Sequence, residues 1–193
     1  VHNEHAIKLF GDGDASFVPS KNERTRIKNF AYNAVYGGSA ETIWQLLKID
    51  IPDILLKDVQ EMMVWFFSTH REITVWHKKL EKFAFKHDYV EGPFSGRRRY
   101  FYKQVEPTEL YNFPVQETAA KIKNDALMRL RDAINKDEKI LIDCHDEIVC
   151  EGPDVKALVS KMRECMETTL THEGYSMNFP VEIATGPSWG DAI

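Results

Sequence analysis

Arg24-Thr25-Arg26-Ile27-Lys28-Asn29-Phe30-Ala31-Tyr32-Asn33-Ala34-Val35-Tyr36 reads as one helix with a chemical stripe along it. Arg24, Lys28, Tyr32 and Tyr36 recur every fourth residue. Four residues of α-helix turn through about 400°, so each step drifts by only about 40° and the four side chains share a side. The borders agree. Ser20 and Glu23 have capping-box spacing, and Gly37-Gly38 supplies the stop. Two cations near the positive end of a helix dipole, followed by two phenols, suit a triphosphate with its sugar and base laid along the helix. The arginine fork grips phosphate oxygens, the lysine is a point charge, and each tyrosine offers a flat face. An amphipathic helix with solvated cations and half-buried tyrosines has the same spacing, and on spacing alone both readings stand.

The neighbouring sequence is also helical. Glu4 to Phe10 has helical apolar spacing, ended by Gly11-Asp12-Gly13. Ser39 to Leu47 begins a further helix. From Pro52, the residues Ile54, Leu55, Val59, Met62, Met63 and Phe66 continue at helical spacing. That pattern runs to Lys86 with a break near Ser68-Thr69. Character changes at Asp88: Tyr89-Val90-Glu91, a turn at Gly92-Pro93 and Arg99 to Tyr102 predict a hairpin or short strands. A helix is expected from about Val115 to Ile134. Two strand-like runs, Lys139 to Cys144 and Glu147 to Glu151, meet at His145-Asp146. Asp154 is expected to cap a helix reaching about His172, and Phe179 to Ala184 reads as a last strand. The fold class that follows is α+β, a helical lobe and then a mixed lobe with a small antiparallel sheet and flanking helices.

Composition narrows the function. The chain has 193 residues, ordinary hydrophobic content and a net charge of −5. No apolar run approaches the ~20 residues of a membrane span, and Val1-His2-Asn3-Glu4 lacks the features of a secretory signal. A membrane partner is therefore not expected, and a cytoplasmic setting is. The absent initiator Met suggests a processed, cut or fused chain. Cys144, Cys150 and Cys165 are odd in number and lack CxxC spacing, which predicts reduced thiols and no zinc site. The acidic balance argues against a nucleic-acid partner only in bulk, because cations cluster at Lys21 to Lys28 and at Arg97-Arg98-Arg99 with Lys103.

Cys144-His145-Asp146-Glu147-Ile148-Val149 puts an imidazole and two carboxylates at the tip of the expected hairpin. A strand end holds a carboxylate rigidly enough to ligate Mg²⁺, which takes one or two protein carboxylates together with substrate phosphates. A polar turn that happens to contain Asp is the competing reading.

The spaced set Arg24, Lys28, Tyr32, Tyr36-Gly37 resembles the fingers-helix motif of family A DNA polymerases, the bacterial polymerase I and phage type. Ile140 to Pro153 resembles that family's third motif, in which His-Asp-Glu lies between apolar strands. Two more segments follow in the family's order: Tyr89-Val90-Glu91 to Gly96-Arg97-Arg98-Arg99, and Asn112-Phe113-Pro114-Val115-Gln116. Pro180-Val181-Glu182-Ile183 and Gly186-x-x-Trp189 complete the match.

The resemblance implies helical fingers over residues 14–95, a palm over 96–193 carrying the metal-binding hairpin, and a palm helix over 1–13. It implies that His2, Arg24, Lys28, Tyr32 and Tyr36 bind the incoming nucleotide. Catalytic roles fall to Asp146, Glu147, His145 and Lys28, with Asp146 as a metal ligand, and His145 near the primer terminus. Asn112 and Gln116 contact primer–template on the minor-groove side, with Arg97 and Arg98 near its backbone. The minor groove offers nearly sequence-independent acceptors, so amide donors there check pair geometry without selecting a sequence. Implied partners are primer–template DNA and dNTPs, and the implied cofactor is Mg²⁺ in a two-metal site, with Mn²⁺ as a substitute. Tyr at position 32, where many members have Phe, implies ready acceptance of dideoxynucleotides. Glu147 stands where single-subunit RNA polymerases carry Ser, which favours a DNA product.

The sequence departs from the pattern at Asn33 and Glu117, where Gly is usual, and at Lys121, which replaces a common Asp. It also lacks the first motif, of the Asp-Tyr-Ser-x-x-Glu kind, that supplies the second catalytic carboxylate. An upstream part bringing that Asp, a thumb and any exonuclease is therefore an expected partner. The alternatives are a non-catalytic nucleic-acid-binding module of the same fold and a fragment of a single-subunit RNA polymerase.

Overall fold

Ser20 opens the first helix by reciprocal capping: its hydroxyl accepts from the Glu23 amide at 3.2 Å, and its own amide donates to Glu23 Oε2 at 2.7 Å. The computed structural model describes Ile7, Asp14, residues 16–102 and residues 104–192. Of the N-terminal helix expected over Glu4 to Phe10, only Ile7 lies within these, and it is helical. His2, Gly11-Asp12-Gly13 and Lys103 lie outside them.

By internal packing the chain divides into two units, Val1–Val90 with Arg98–Phe113, and Glu91–Arg97 with Pro114–Ile193. The first unit contains α1 (Lys21–Val35), α2 (Ala40–Asp50), α3 (Leu56–Thr69) and α4 (Arg71–His87). The expected break near Ser68-Thr69 falls at His70, whose non-helical backbone (φ −112°, ψ 62°) separates α3 from α4. Phe30, Ala31 and Ala34 of α1 pack with Ile43, Leu47, Val59 and Phe66, and the Phe30 and Phe66 rings meet edge-on at 5.7 Å. Burying each of the Phe, Ile, Leu and Val side chains among these stabilises by about 1.5–3 kcal/mol. A smaller core gathers Ala84, Val90, Phe101, Leu110 and Tyr111. It packs beneath a short hairpin of β1 (Tyr89–Glu91) and β2 (Arg98–Tyr100).

α5 (Pro107–Ala133) begins eight residues earlier than expected. The expected start at about Val115 falls just after Pro114, a residue that removes a hydrogen-bond donor and crowds the preceding turn. The helix nevertheless runs through Pro114, and Pro107 occupies its first position, where a missing N–H costs nothing. Thr118 Oγ1 donates to the Pro114 carbonyl at 2.7 Å.

In the second unit, β3 (Lys139–Cys144) pairs antiparallel with β4 (Glu147–Glu151), as expected. Asp154 caps α6 (Val155–Met166) by accepting from the Ala157 amide at 3.0 Å. This helix stops at Met166 instead of near His172. Residues beyond it form a hairpin of β5 (Thr168–His172) and β6 (Tyr175–Phe179), and no strand spans Phe179 to Ala184. Glu173 and Gly174 both have positive φ, the backbone a tight two-residue hairpin turn requires, and Thr168, Thr169 and Thr171 favour extended backbone. Each strand pair is a separate two-stranded sheet.

Leu130, Ile148 and Cys165 centre the core of this unit. Beside it the Glu138 side chain, 2% exposed, accepts from Lys161 Nζ at 2.7 Å and from the Asn135 amide at 2.8 Å, which holds its carboxyl below the usual range. The cysteines are free, and burial pushes the Cys150 and Cys165 thiols up. Among the described residues no helix is long and apolar enough to cross a membrane.

Candidate functional site

The inward residues of α1 turn the Arg24–Tyr36 stripe outward. With Ile27, Phe30, Ala31 and Ala34 buried, Arg24, Lys28 and Tyr32 are exposed and Tyr36 is half-buried. The stripe is physically continuous over its second half. Lys28 Nζ stands 5.5 Å from the Tyr32 ring centroid, and the Tyr32 and Tyr36 rings stack at 6.4 Å and 28°. Burial, with Tyr32 alongside, raises the Tyr36 phenol, which stays a neutral donor at physiological pH.

Tyr32 and Tyr36 open onto a cleft of about 370 Å³ whose rim continues through Asn33, Gly37, Gly38 and Ser39 to Pro107. Gly37 makes this corner possible. It has φ +79°, and a Cβ there would lie 2.8 Å from the Tyr111 ring. Tyr111 in turn stacks on His77 at 3.7 Å and 10°, and its hydroxyl donates to Glu81. His77 Nε2 meets the Val35 carbonyl at 2.7 Å, so the last turn of α1 is braced from behind. Burial lowers the His77 pKa and, with the Glu81 contact, raises that of Tyr111. This brace was not read from the sequence, in which His77 and Tyr111 are separate points in different helices.

The second candidate region is the β3–β4 turn. Cys144 pairs with Glu147, leaving His145 and Asp146 as a two-residue turn with His145 at φ +52°. A non-glycine residue in the left-handed region carries a conformational cost of roughly 1–2 kcal/mol. The pairing in β3 and β4 holds it there. His145, Asp146 and Glu147 are all exposed. Glu147 Oε1 accepts from Trp189 Nε1 at 2.7 Å, and Asp143, just before the turn, is paired with Lys123 Nζ at 2.6 Å. The sequence reading had Trp189 as a motif residue without this contact and did not single out Lys123. Asp146 suits one ligand position for a hard divalent cation. No group of three or more His, Cys, Asp or Glu able to hold a metal occurs among the described residues.

The remaining expected site residues are dispersed along the chain. Asn112, half-buried, and Gln116, exposed, both lie on α5 one helical turn apart. Arg97 is exposed on the loop before β2. Arg98 stands 4.5 Å over the Tyr89 ring, and Arg99 is paired with Glu109 at 2.9 Å.

The three departures from the motif pattern differ in consequence. Asn33 folds onto its own helix, donating to the Asn29 carbonyl at 2.8 Å, and Lys121 pairs with Asp125 at 2.6 Å. Glu117 is 5% exposed, and neither carboxylate oxygen has a hydrogen-bond partner among the described residues. It fills the space against Gly92, where any Cβ would fall 2.1 Å from Glu117 Oε2.

Comparison with known proteins gives these features a family context. DNA polymerase I of Thermus filiformis, a thermostable enzyme, is 28% identical over 206 residues, which is all of this chain and 23% of that protein. DNA polymerase I of Deinococcus radiodurans is 28% identical over 205 residues, or 99% of this chain and 20% of that one. The chain thus spans about a fifth of the length of these relatives. The polymerase domain of Pol1 from M. smegmatis, solved with DNA primer-template and dNTP, superposes with a TM-score of 0.77 at 25% identity, covering 99% of this chain and 34% of that one. The family model for DNA polymerase family A matches residues 1–191, and the chain belongs to that family.

Proposed function

We propose that this chain serves template-directed DNA synthesis, adding dNTPs to a primer 3′ end as the fingers and part of the palm of a polymerase. The observation that carries the reading is the outward stripe Arg24, Lys28, Tyr32 and Tyr36, with Lys28 over one ring and the two rings stacked beside an open cleft. Family membership and the primer-template and dNTP named for the M. smegmatis domain support it.

In this reading residues 14–95 are the fingers and 96–193 the palm, with 1–13 a palm helix. Arg24 and Lys28 hold the triphosphate near the N-terminal half of α1, where the helix dipole also favours an anion. His2 adds a phosphate contact. Tyr32 packs on sugar and base, and Tyr36 helps admit the template base. Asn112 and Gln116 read minor-groove acceptors, while Arg97, Arg98 and His145 hold primer–template.

Asp146 holds one divalent cation position at the β3–β4 turn, and Glu147, fastened by Trp189, keeps that turn in place. When bound, Mg²⁺ (or Mn²⁺ in its stead) supplies activation of the primer 3′-oxygen and neutralisation of the departing pyrophosphate. The second carboxylate comes from an upstream polypeptide bearing an Asp-Tyr-Ser-x-x-Glu motif, which also brings the thumb and any exonuclease.

The test is primer extension by the 193-residue chain supplied with such an upstream polypeptide. Extension by the pair, its loss in Asp146→Ala and a preference for dNTPs over rNTPs are expected. Extension by this chain unaided would refute the divided site. Primer–template binding without extension by the pair would favour a non-catalytic binding module, and a preference for rNTPs an RNA polymerase fragment.

A further inference from the structure

The β1–β2 hairpin carries a run of rings that the polymerase reading does not use. Phe101 packs in the core with Ala84 and Val90, whereas Arg98 and Tyr100 of β2 and Tyr102 just beyond it are exposed. Tyr89 on the partner strand joins them. Ring centroids follow one another from Phe83 to Tyr89 (5.4 Å), Tyr89 to Tyr100 (5.3 Å) and Tyr100 to Tyr102 (6.3 Å, 20° between planes). Arg98 lies 4.5 Å over Tyr89. The ladder is open: Tyr102 is 90% exposed and Tyr100 about half.

The surroundings are cationic. α4, which contributes Phe83, carries exposed Lys78, Lys79, Lys82 and Lys86 on its C-terminal half, and the hydroxyl of Tyr111 engages its Glu81. Asp88 and Glu91 are the acidic residues nearest in sequence. Exposed flat rings beside cations match a ligand with flat faces and a regular negative charge. A duplex hides its base faces by pairing and stacking, whereas a single strand presents them.

We infer that Phe83, Tyr89, Tyr100 and Tyr102 form a stacking platform for the unpaired bases of single-stranded DNA, with Arg98 and the α4 lysines meeting its phosphates. This platform shares Arg98 with the proposed primer–template contacts but no residue with the α1 stripe or the β3–β4 turn, and the inference needs neither dNTP, metal nor an upstream polypeptide.

Fluorescence anisotropy with a labelled oligothymidine of about sixteen nucleotides, and with a duplex of equal length, tests it. The chain is expected to bind the single strand more tightly than the duplex. Tyr100→Leu with Tyr102→Leu should weaken single-strand binding roughly tenfold or more, because leucine keeps the apolar surface but not the stacking face. Tyr100→Phe with Tyr102→Phe should retain it. Lys82→Gln with Lys86→Gln should flatten the salt dependence. All these side chains are exposed, and circular dichroism checks that the variants fold. No binding by the wild-type chain, unchanged affinity in the leucine variant, or equal loss of single-strand and duplex binding would overturn the inference.

Discussion

The indole N–H of Trp189 donates to Glu147 Oε1 at 2.7 Å, linking the end of the chain to the first residue after the His145–Asp146 turn. Both side chains are exposed, so the bond acts locally and contributes on the order of 0.5–1 kcal/mol. Trp189→Phe removes the donor and keeps a ring. Amide exchange at Glu147 to Val149 should then quicken by about two- to fivefold, with the global unfolding midpoint nearly unchanged. Glu147→Gln retains an acceptor and should show a smaller change in the same measurement.

His77 gives the first unit a pH dependence. Burial lowers its folded-state pKa below the ordinary value of 6.5, so the unfolded chain binds a proton that the folded chain refuses. Stability from this group is complete above about pH 6.5 and falls as pH drops from there through the lowered value. Urea midpoints measured across that range should decline on acidification, and His77→Gln should flatten this part of the curve.

Gly37→Ala meets two obstacles at one position. A left-handed backbone costs alanine about 1–2 kcal/mol. The new methyl would also stand 2.8 Å from two carbons of the Tyr111 ring, and such overpacking adds about 1–3 kcal/mol. A loss of roughly 2–5 kcal/mol in urea unfolding is expected. Tyr111→Leu in the same background should restore only the packing part.

Gly92 and Glu117 should behave as a coupled pair. Gly92→Ala drives a methyl against the Glu117 carboxylate, so it should destabilise the second unit strongly. In a Glu117→Ala background the same change should be nearly neutral. A double-mutant cycle by urea unfolding should give a coupling above about 1 kcal/mol. Additive effects would remove the close approach as the reason for glycine at position 92.

Tyr32 sets a prediction for the assembled polymerase. Its ring lies next to Lys28 and Tyr36 on the exposed stripe. Primer extension with mixed dideoxy and deoxy nucleotides should show ready dideoxy termination, and Tyr32→Phe should suppress it. Unchanged termination would remove Tyr32 from sugar discrimination.

The elements read correctly from sequence are those whose pattern is local. Ser20 and Glu23 cap a helix because three residues of separation bring amide and carboxylate together. The strands around His145-Asp146 were visible for a similar reason, since apolar runs on both sides frame a short polar turn. Two local signals were misjudged. The helix expected from about Val115 begins at Pro107 and continues through Pro114, with Leu110 and Tyr111 buried just before it. Thr168 to His172 was read as the end of a helix, although Glu173-Gly174 just beyond it has the positive φ values of a hairpin turn.

By itself, the sequence determined which side chains share a helix face and which residues occupy the turn, because backbone periodicity alone dictates both. Tertiary structure alone decided what stands behind them. His77 lies flat on Tyr111 beneath Gly37, Glu117 fills the space at Gly92, and Trp189 holds Glu147. These partners are brought together by burial of separate apolar faces, and no spacing along the chain encodes which residues will then meet.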